Sequence, residues 1–149
     1  MTFQEFLKKF NDFLFTQCGM TNTIFDHIRF GKEAPIKSLF FHPYQSKTEF
    51  FYKTASVVTA PASLSVIALE LATASLWLGI RSAVDLAKFN THAAKIHLID
   101  GIFHMVFALI SALTAVASPF INAIDLVGAG IATLTQKNEV LEEMKPSFD

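Results

Sequence analysis

The sequence predicts an all-α protein, and three observations lead to that prediction. Hydrophobic residues make up 52% of the 149 residues, charged residues make up 17%, and the mean hydropathy is +0.41. Two long apolar stretches, residues 54–80 and 101–124, dominate the chain. Elsewhere, amphipathic spacing and a helix-capping pattern favour helices. We expect a bundle of four to five helices that includes two long, proline-kinked apolar helices or helical hairpins.

One domain is expected for a chain of this length. Its predicted parts are an N-terminal region of amphipathic helices and a loop (1–45), an apolar helical region (46–136) and a charged tail (137–149).

The first helix is predicted from aromatic residues that recur at intervals of three and four. Phe3, Phe6, Phe10 and Phe13 would share one face of this amphipathic helix. Such a face can pack on other helices or lie in a membrane interface. Because its polar face is not rich in Lys and Arg, we favour packing.

A second short helix is predicted for residues 21–30, with Thr21 or Asn22 as N-cap and Gly31 as the stop. Prolines then favour a loop up to residue 45, because each disfavours helix at the residue before it. Within this loop the apolar residues 39–41 are expected to dock on the bundle or on a membrane.

Ser46 and Glu49 form a capping box, which predicts a helix start. That helix should reach residue 60 and kink or break at Pro61, since proline removes a backbone hydrogen bond. A helix over residues 62–90 should follow. Thr91 can cap the next helix, over residues 92–117, which Pro119 should interrupt.

Both apolar stretches exceed the roughly 20 residues that a helix needs to cross a bilayer. Small residues spaced four apart, such as the pairs Ala68 with Ala72 and Ala108 with Ala112, can let helices approach closely in lipid or in an alanine-rich bundle. The residues expected to govern membrane insertion or packing are Pro61, Glu70, Trp77, Pro119 and Asp125.

Acidic side chains are costly in lipid, so Glu70 and Asp125 should face water, a partner or another helix. A shallow insertion near the membrane surface is favoured over a functional proton or cation pair. His97, Asp100 and His104 share one helical face. The outer two are about 10 Å apart along the axis, which disfavours a metal site.

Several function classes lack support in the sequence. There is no nucleophile motif, P-loop or dinucleotide fingerprint, so we expect no catalytic residues and no cofactor. The net charge of −1 disfavours nucleic acid as a partner. The single cysteine, Cys18, should be a small buried apolar residue.

Near the C-terminus, Glu139, Glu142 and Glu143 form a glutamate cluster that precedes the apolar residue Phe148. This pattern resembles the C-terminal secretion signal of substrates of the Dot/Icm type IVB system. The resemblance implies a bacterial effector that is delivered into a host cell, where apolar segments could anchor it to a membrane.

We therefore hypothesise a non-enzymatic, membrane-associated helical protein, with lipid as partner and a homo-oligomer or a protein partner as further expectations. Seven Lys or Arg residues precede the first apolar stretch, which favours cytosolic N- and C-termini. The alternative is a soluble interaction or assembly subunit whose apolar stretches form its core and oligomer interface. A third hypothesis is an ion or proton carrier built around Glu70 and Asp125.

Overall fold

The computed structural model describes the backbone of residues 3–30 and 40–143 and the side chains of residues 5, 8–28 and 40–136. Its helices are α1 (Phe3–Thr16), α2 (Met20–Phe30), α3 (Lys47–Ala87) and α4 (Thr91–Glu143). No strand occurs in these described segments. The all-α prediction is confirmed, and α3 and α4 form a helical hairpin.

The turn between α1 and α2 depends on Gly19. Its φ of +55° is one that side-chain-bearing residues rarely adopt, and a Cβ there would lie 2.6 Å from Cβ of Ser56. Because this turn leads directly into α2 at Met20, the predicted caps Thr21 and Asn22 lie inside the first turn of the helix instead of before it. The predicted stop at Gly31 falls outside the described residues.

The capping box at the start of α3 is shifted from the predicted form, because the Glu49 carboxylate accepts from the amide of Gln45, one residue before the cap Ser46. The amide of Glu49 donates to Oγ of Ser46 at 3.1 Å, while the amide of Gln45 donates to Oε2 of Glu49 at 2.9 Å. Two amides that the helix cannot satisfy internally thereby gain acceptors.

Pro61 and Pro119 lie inside helices and not between them. Helix α3 continues through Pro61 to Ala87, and α4 continues through Pro119 to Glu143. Each predicted pair of segments on either side of a proline is therefore one continuous helix in the structure. Ala60 and Leu64 flank Pro61 and are almost fully buried, so packing holds the helix on both sides of the lost hydrogen bond. The kink angles remain a prediction.

Helix α3 ends in a Schellman motif. The amide of Phe89 donates to the carbonyl of Leu86 at 3.0 Å, and the amide of Asn90 donates to that of Asp85 at 2.9 Å. Phe89 occupies the left-handed position with a φ of 57° and is 92% exposed. The turn between α3 and α4, which we call the closed end of the hairpin, therefore carries an exposed aromatic residue with a strained backbone.

Asn90 also starts α4, because its Oδ1 accepts the amide of Ala93 at 3.3 Å. The cap is thus Asn90, one residue before the predicted Thr91. The boundary between the two long helices lies where the sequence placed it.

The chain divides into two compact units. Unit 1 comprises Met1–Phe15 and Pro61–Ala117, and unit 2 comprises Thr16–Ala60 and Ser118–Asp149. The division within α3 falls at Pro61, and the division within α4 falls one residue before Pro119. Each proline therefore marks the passage of a long helix from one unit to the other.

In unit 1, serine hydroxyls and small residues hold α3 and α4 together. Oγ of Ser75 donates to the carbonyl of Gly101, and Oγ of Ser82 donates to that of Ala94, both at 2.8 Å. The later residue of α3 contacts the earlier residue of α4, so the helices run antiparallel. Buried small residues recur every seven positions along α4: Ala94, Gly101, Ala108 and Ala115. These small residues therefore form a narrow stripe on α4 along its contact with α3.

In unit 2, the segment before α3 lies on the last part of α4. The amide of Tyr44 donates to Oγ1 of Thr133 at 2.8 Å, and its hydroxyl donates to the carbonyl of Leu126. The ring of Phe41 lies directly over Gly128, where a Cβ would come within 1.7 Å of Cδ1. Gly128 thus provides the space for this aromatic ring, so Phe41 docks on α4 as expected, while Leu39 lies outside the described residues.

Candidate functional site

Large apolar side chains cover the outer surface of the unit 1 hairpin. Many such residues on its two helices are exposed, and they include Leu69, Leu76, Trp77, Ile80, Ile102, Phe103, Phe107, Leu109, Leu113 and Val116. Soluble monomers rarely expose contiguous apolar patches of more than a few hundred Å². We call these residues the apolar surface of unit 1.

Two helices, Lys47–Ala87 and Thr91–Gln136, are long and apolar enough to cross a membrane. Length and composition are weak evidence, because a core helix of a soluble protein can meet the same criteria. However, only 22% and 17% of the residues in the respective apolar windows are buried. In a single chain, most residues of each apolar window are therefore not buried against other parts of the protein.

Charged and aromatic side chains lie near the closed end of the hairpin. The guanidinium of Arg81 lies 5.4 Å from the ring centroid of Trp77, which is 56% exposed. Nδ1 of His97 lies 2.8 Å from Oδ2 of Asp85, across the turn. Tryptophan and arginine at the end of an apolar helix suit a membrane–water interface.

An open groove of about 580 Å³ lies between α3 and α4 in unit 1. Two of the small-residue pairs that the sequence indicated, Ala68 with Ala72 and Ala108 with Ala112, line this groove together. Pro61 lies in its wall as well. The groove allows close approach of another apolar chain or of lipid.

Helix α1 belongs to unit 1 and contacts α3 near Glu70. Nδ2 of Asn11 lies 3.4 Å from Oε1 of Glu70, and Leu14 is buried. Phe10 and Phe13 are exposed, so the aromatic face is only partly covered. The side chains of Phe3 and Phe6, which the sequence placed on the same face, lie outside the described residues.

A buried amide joins α2 and α4 in unit 2. Asn122 is 2% exposed, and its Oδ1 accepts the amide of Met20 at 2.8 Å. Its Nδ2 lies within hydrogen-bonding distance of Oγ1 of Thr21 and of the carbonyls of Cys18 and Ser118, at 3.1, 3.4 and 2.9 Å. A side chain from α4 therefore supplies hydrogen-bond partners to polar groups in the first turn of α2.

A charged pair also lies in unit 2. Nζ of Lys53 on α3 lies 3.0 Å from Oδ2 of Asp125 on α4 and 3.8 Å from Oε1 of Glu49. Asp125 is 3% exposed. It lines an open pocket of about 470 Å³ together with Glu49, Lys53, His42 and Tyr52. The sequence indicated that Asp125 should face water, a partner or another helix, and in the structure it pairs with Lys53 on α3.

Burial changes the acidity of two groups near this pocket. It raises the pKa of the Cys18 thiol to about 11. The pKa of Tyr44 is also raised, first by burial and then by the negative charges of Asp125 and Glu49. The Cys18 thiol therefore stays protonated at neutral pH and is a poor nucleophile. Its complete burial is as the sequence predicted.

No known protein family, curated protein or solved structure matches the chain. A functional assignment therefore depends on the residues described above.

Metal-binding chemistry finds little support in the part of the chain that the structure describes, where no three His, Cys, Asp or Glu residues could hold an ion together. Nδ1 of His104 lies 2.7 Å from the carbonyl of Asp100, while His97 contacts Asp85. The two histidine rings therefore bond to different groups, one to the backbone of Asp100 and the other to the carboxylate of Asp85.

Part of the secretion-signal pattern extends into α4. Glu139, Glu142 and Glu143 lie in its final turns, but their side chains are outside the described set, as is the whole of Phe148. The resemblance to the secretion signal remains a prediction.

Sequence reasoning missed two residues of these polar contacts, Lys53 and Asn122. A signal existed for Asn122, because it is the one carboxamide in the apolar stretch 101–124, where a polar side chain commonly bonds to another helix. Lys53 directly precedes the first apolar stretch and gave no comparable signal. Its partner Asp125 lies too far along the sequence for local spacing to reveal the pair.

Proposed function

We propose that this chain is a non-enzymatic, membrane-associated protein that places the apolar surface of unit 1 against lipid. The observation that carries the proposal is the low burial of the two apolar helical windows. Removal of apolar area from water lowers the free energy by about 25 cal/mol per Å². A surface with this many large side chains is therefore strongly stabilised by any apolar environment that covers it.

The charged side of α1 favours insertion from one side of the membrane over a hairpin that lipid surrounds completely. Four charged residues of α1 are exposed: Glu5, Lys8, Lys9 and Asp12. Each would cost several kcal/mol at the bilayer centre. The part of unit 1 that α1 covers therefore faces water in this proposal, while the apolar surface enters one leaflet.

The closed end of the hairpin supports the same arrangement. Trp77 and Arg81 form a pair suited to the headgroup region, and the Asp85–His97 contact lies beyond them. Phe89 adds an exposed aromatic ring at the turn. Aromatic and basic groups at this end can anchor the hairpin at an interface.

A second candidate function is a soluble interaction or assembly subunit. The groove in unit 1 favours it, since small residues on both walls leave room for a helix from another chain. In this alternative, protein and not lipid covers the apolar surface.

The proposal that the protein is a bacterial effector acting on host membranes depends on the tail resemblance alone. It is separate from membrane association, which the helices support independently.

Alkaline carbonate extraction of membranes from cells that express the full chain tests the proposed function. We expect the protein to remain in the membrane pellet and to be released only by detergent. Release by carbonate into the supernatant would contradict insertion. Assembly of the released protein into a defined oligomer would then support the soluble subunit.

A further inference from the structure

The pocket in unit 2 has no part in the proposed contact with lipid. It lies at the junction of α2, α3 and α4 and has a volume of about 470 Å³. Polar groups on its walls include the hydroxyls of Thr23 and Tyr52, which donate to the carbonyls of Gly19 and Thr16 and keep lone pairs that can accept from a ligand. A small polar molecule can therefore meet several hydrogen-bonding groups there.

Asp125 has an unused acceptor. Its Oδ2 pairs with Lys53, but Oδ1 is buried and has no hydrogen-bond partner among the described residues. An ionised carboxylate can accept about four hydrogen bonds. Leaving a buried carboxylate oxygen without a donor is costly. The residue lines the pocket, so a modest rotation of its carboxylate can bring Oδ1 to a donor bound there.

The charges around the pocket favour a cation. Two carboxylates, Glu49 and Asp125, line it, but a single ammonium group, that of Lys53, compensates them. Glu49 accepts the amide of Gln45 and is 30% exposed to water, so Asp125 is the carboxylate whose buried oxygen lacks a donor.

We propose that this pocket binds a small primary amine, whose ammonium group donates a hydrogen bond to the Asp125 carboxylate beside Lys53. The ligand class follows from the need for both a positive charge and an N–H donor. A quaternary ammonium carries the charge but has no N–H, so it meets only half of the requirement.

Ethanolamine and choline are a matched pair of probes for the full chain in mild detergent. Hydrogen bonds to a charged group contribute about 1.5–3 kcal/mol. We therefore expect ethanolamine to bind at least tenfold more tightly than choline in isothermal titration calorimetry. Equal affinities, or binding of neither probe at millimolar concentration, would overturn the proposal.

The Asp125→Asn variant should lose the preference for ethanolamine. Glu70→Gln, the same kind of change in unit 1, should retain it. Unchanged discrimination in Asp125→Asn would contradict the assignment of the carboxylate.

A measurement on the wild-type chain covers the case in which Asp125→Asn fails to fold. Ethanolamine should slow acetylation of Lys53 several-fold, as followed by mass spectrometry, and should leave the exposed Lys88 unaffected. Equal rates for Lys53 with and without ethanolamine would overturn the proposal.

The amine can be a soluble metabolite or the headgroup of a lipid. Free ethanolamine should protect Lys53 in either case. Stronger protection by vesicles that contain phosphatidylethanolamine, and not by phosphatidylcholine vesicles, indicates the headgroup, whereas no added protection by the vesicles indicates a soluble amine. Neither result depends on carbonate resistance, so failure of the pocket and failure of membrane insertion are distinguishable.

Discussion

Replacing Phe107 with aspartate is expected to lower the membrane partitioning of the chain by roughly 100-fold. Phe107 is 56% exposed on the apolar surface of unit 1. An aspartate at the centre of an inserted helix costs about 2.5–3.5 kcal/mol on insertion scales. Each 1.4 kcal/mol is a tenfold change, so the loss should be large in a vesicle flotation assay.

The matched control is Asn90→Asp. It adds the same charge at the closed end of the hairpin and preserves the cap of α4, since aspartate and asparagine cap helices equally well. This variant should float as the wild type does. If Phe107→Asp also floats normally while its helix content is unchanged, this part of the apolar surface does not contact lipid.

Replacing Asn122 with alanine is expected to destabilise unit 2 by about 2–4 kcal/mol. The change removes the acceptor of the Met20 amide and the donor to Thr21 and to the carbonyl of Cys18. Because these partners are buried with Asn122, water cannot easily replace the lost bonds. Denaturation in mild detergent, followed by circular dichroism, measures the effect.

Gln136→Ala is the corresponding control, because Gln136 is an exposed amide on the same helix. Its effect should stay within about 0.5 kcal/mol. A similarly small effect of Asn122→Ala would show that the buried amide does not hold α2 on α4.

Local signals in the sequence predicted much of the secondary structure. The capping box at Ser46 and Glu49 correctly placed the start of α3, and the polar residues around Asn90 correctly placed the turn of the hairpin. Such signals depend on atoms within a few residues of one another, so the sequence displays them directly.

The prolines show the limit of local reasoning. A proline interior to a helix costs a hydrogen bond, which predicted a kink or a break at Pro61 and an interruption at Pro119. Helices α3 and α4 nevertheless continue through both positions. Buried neighbours such as Ala60 and Leu64 explain this for α3, since tertiary packing can outweigh a local cost.

The polar contacts of unit 2 could not be predicted because their partners are distant in sequence. Lys53 and Asp125 are brought together only when α3 and α4 run antiparallel. The start of α2 at Met20 likewise depends on an acceptor from α4 and on the left-handed φ of Gly19. Helical periodicity indicates which face of a helix is apolar, but it does not identify the residue on another helix that a polar side chain will meet.

Fluorescence of Trp77 on vesicles tests the central claim most directly. Trp77 is the single tryptophan of the chain and lies on the apolar surface of unit 1, so its emission reports on that surface alone. Contact with lipid predicts a blue shift on vesicle binding and strong quenching by lipids with brominated acyl chains. Emission that brominated lipids leave unchanged, from a protein that self-associates in their presence, would contradict lipid contact and favour an assembly subunit.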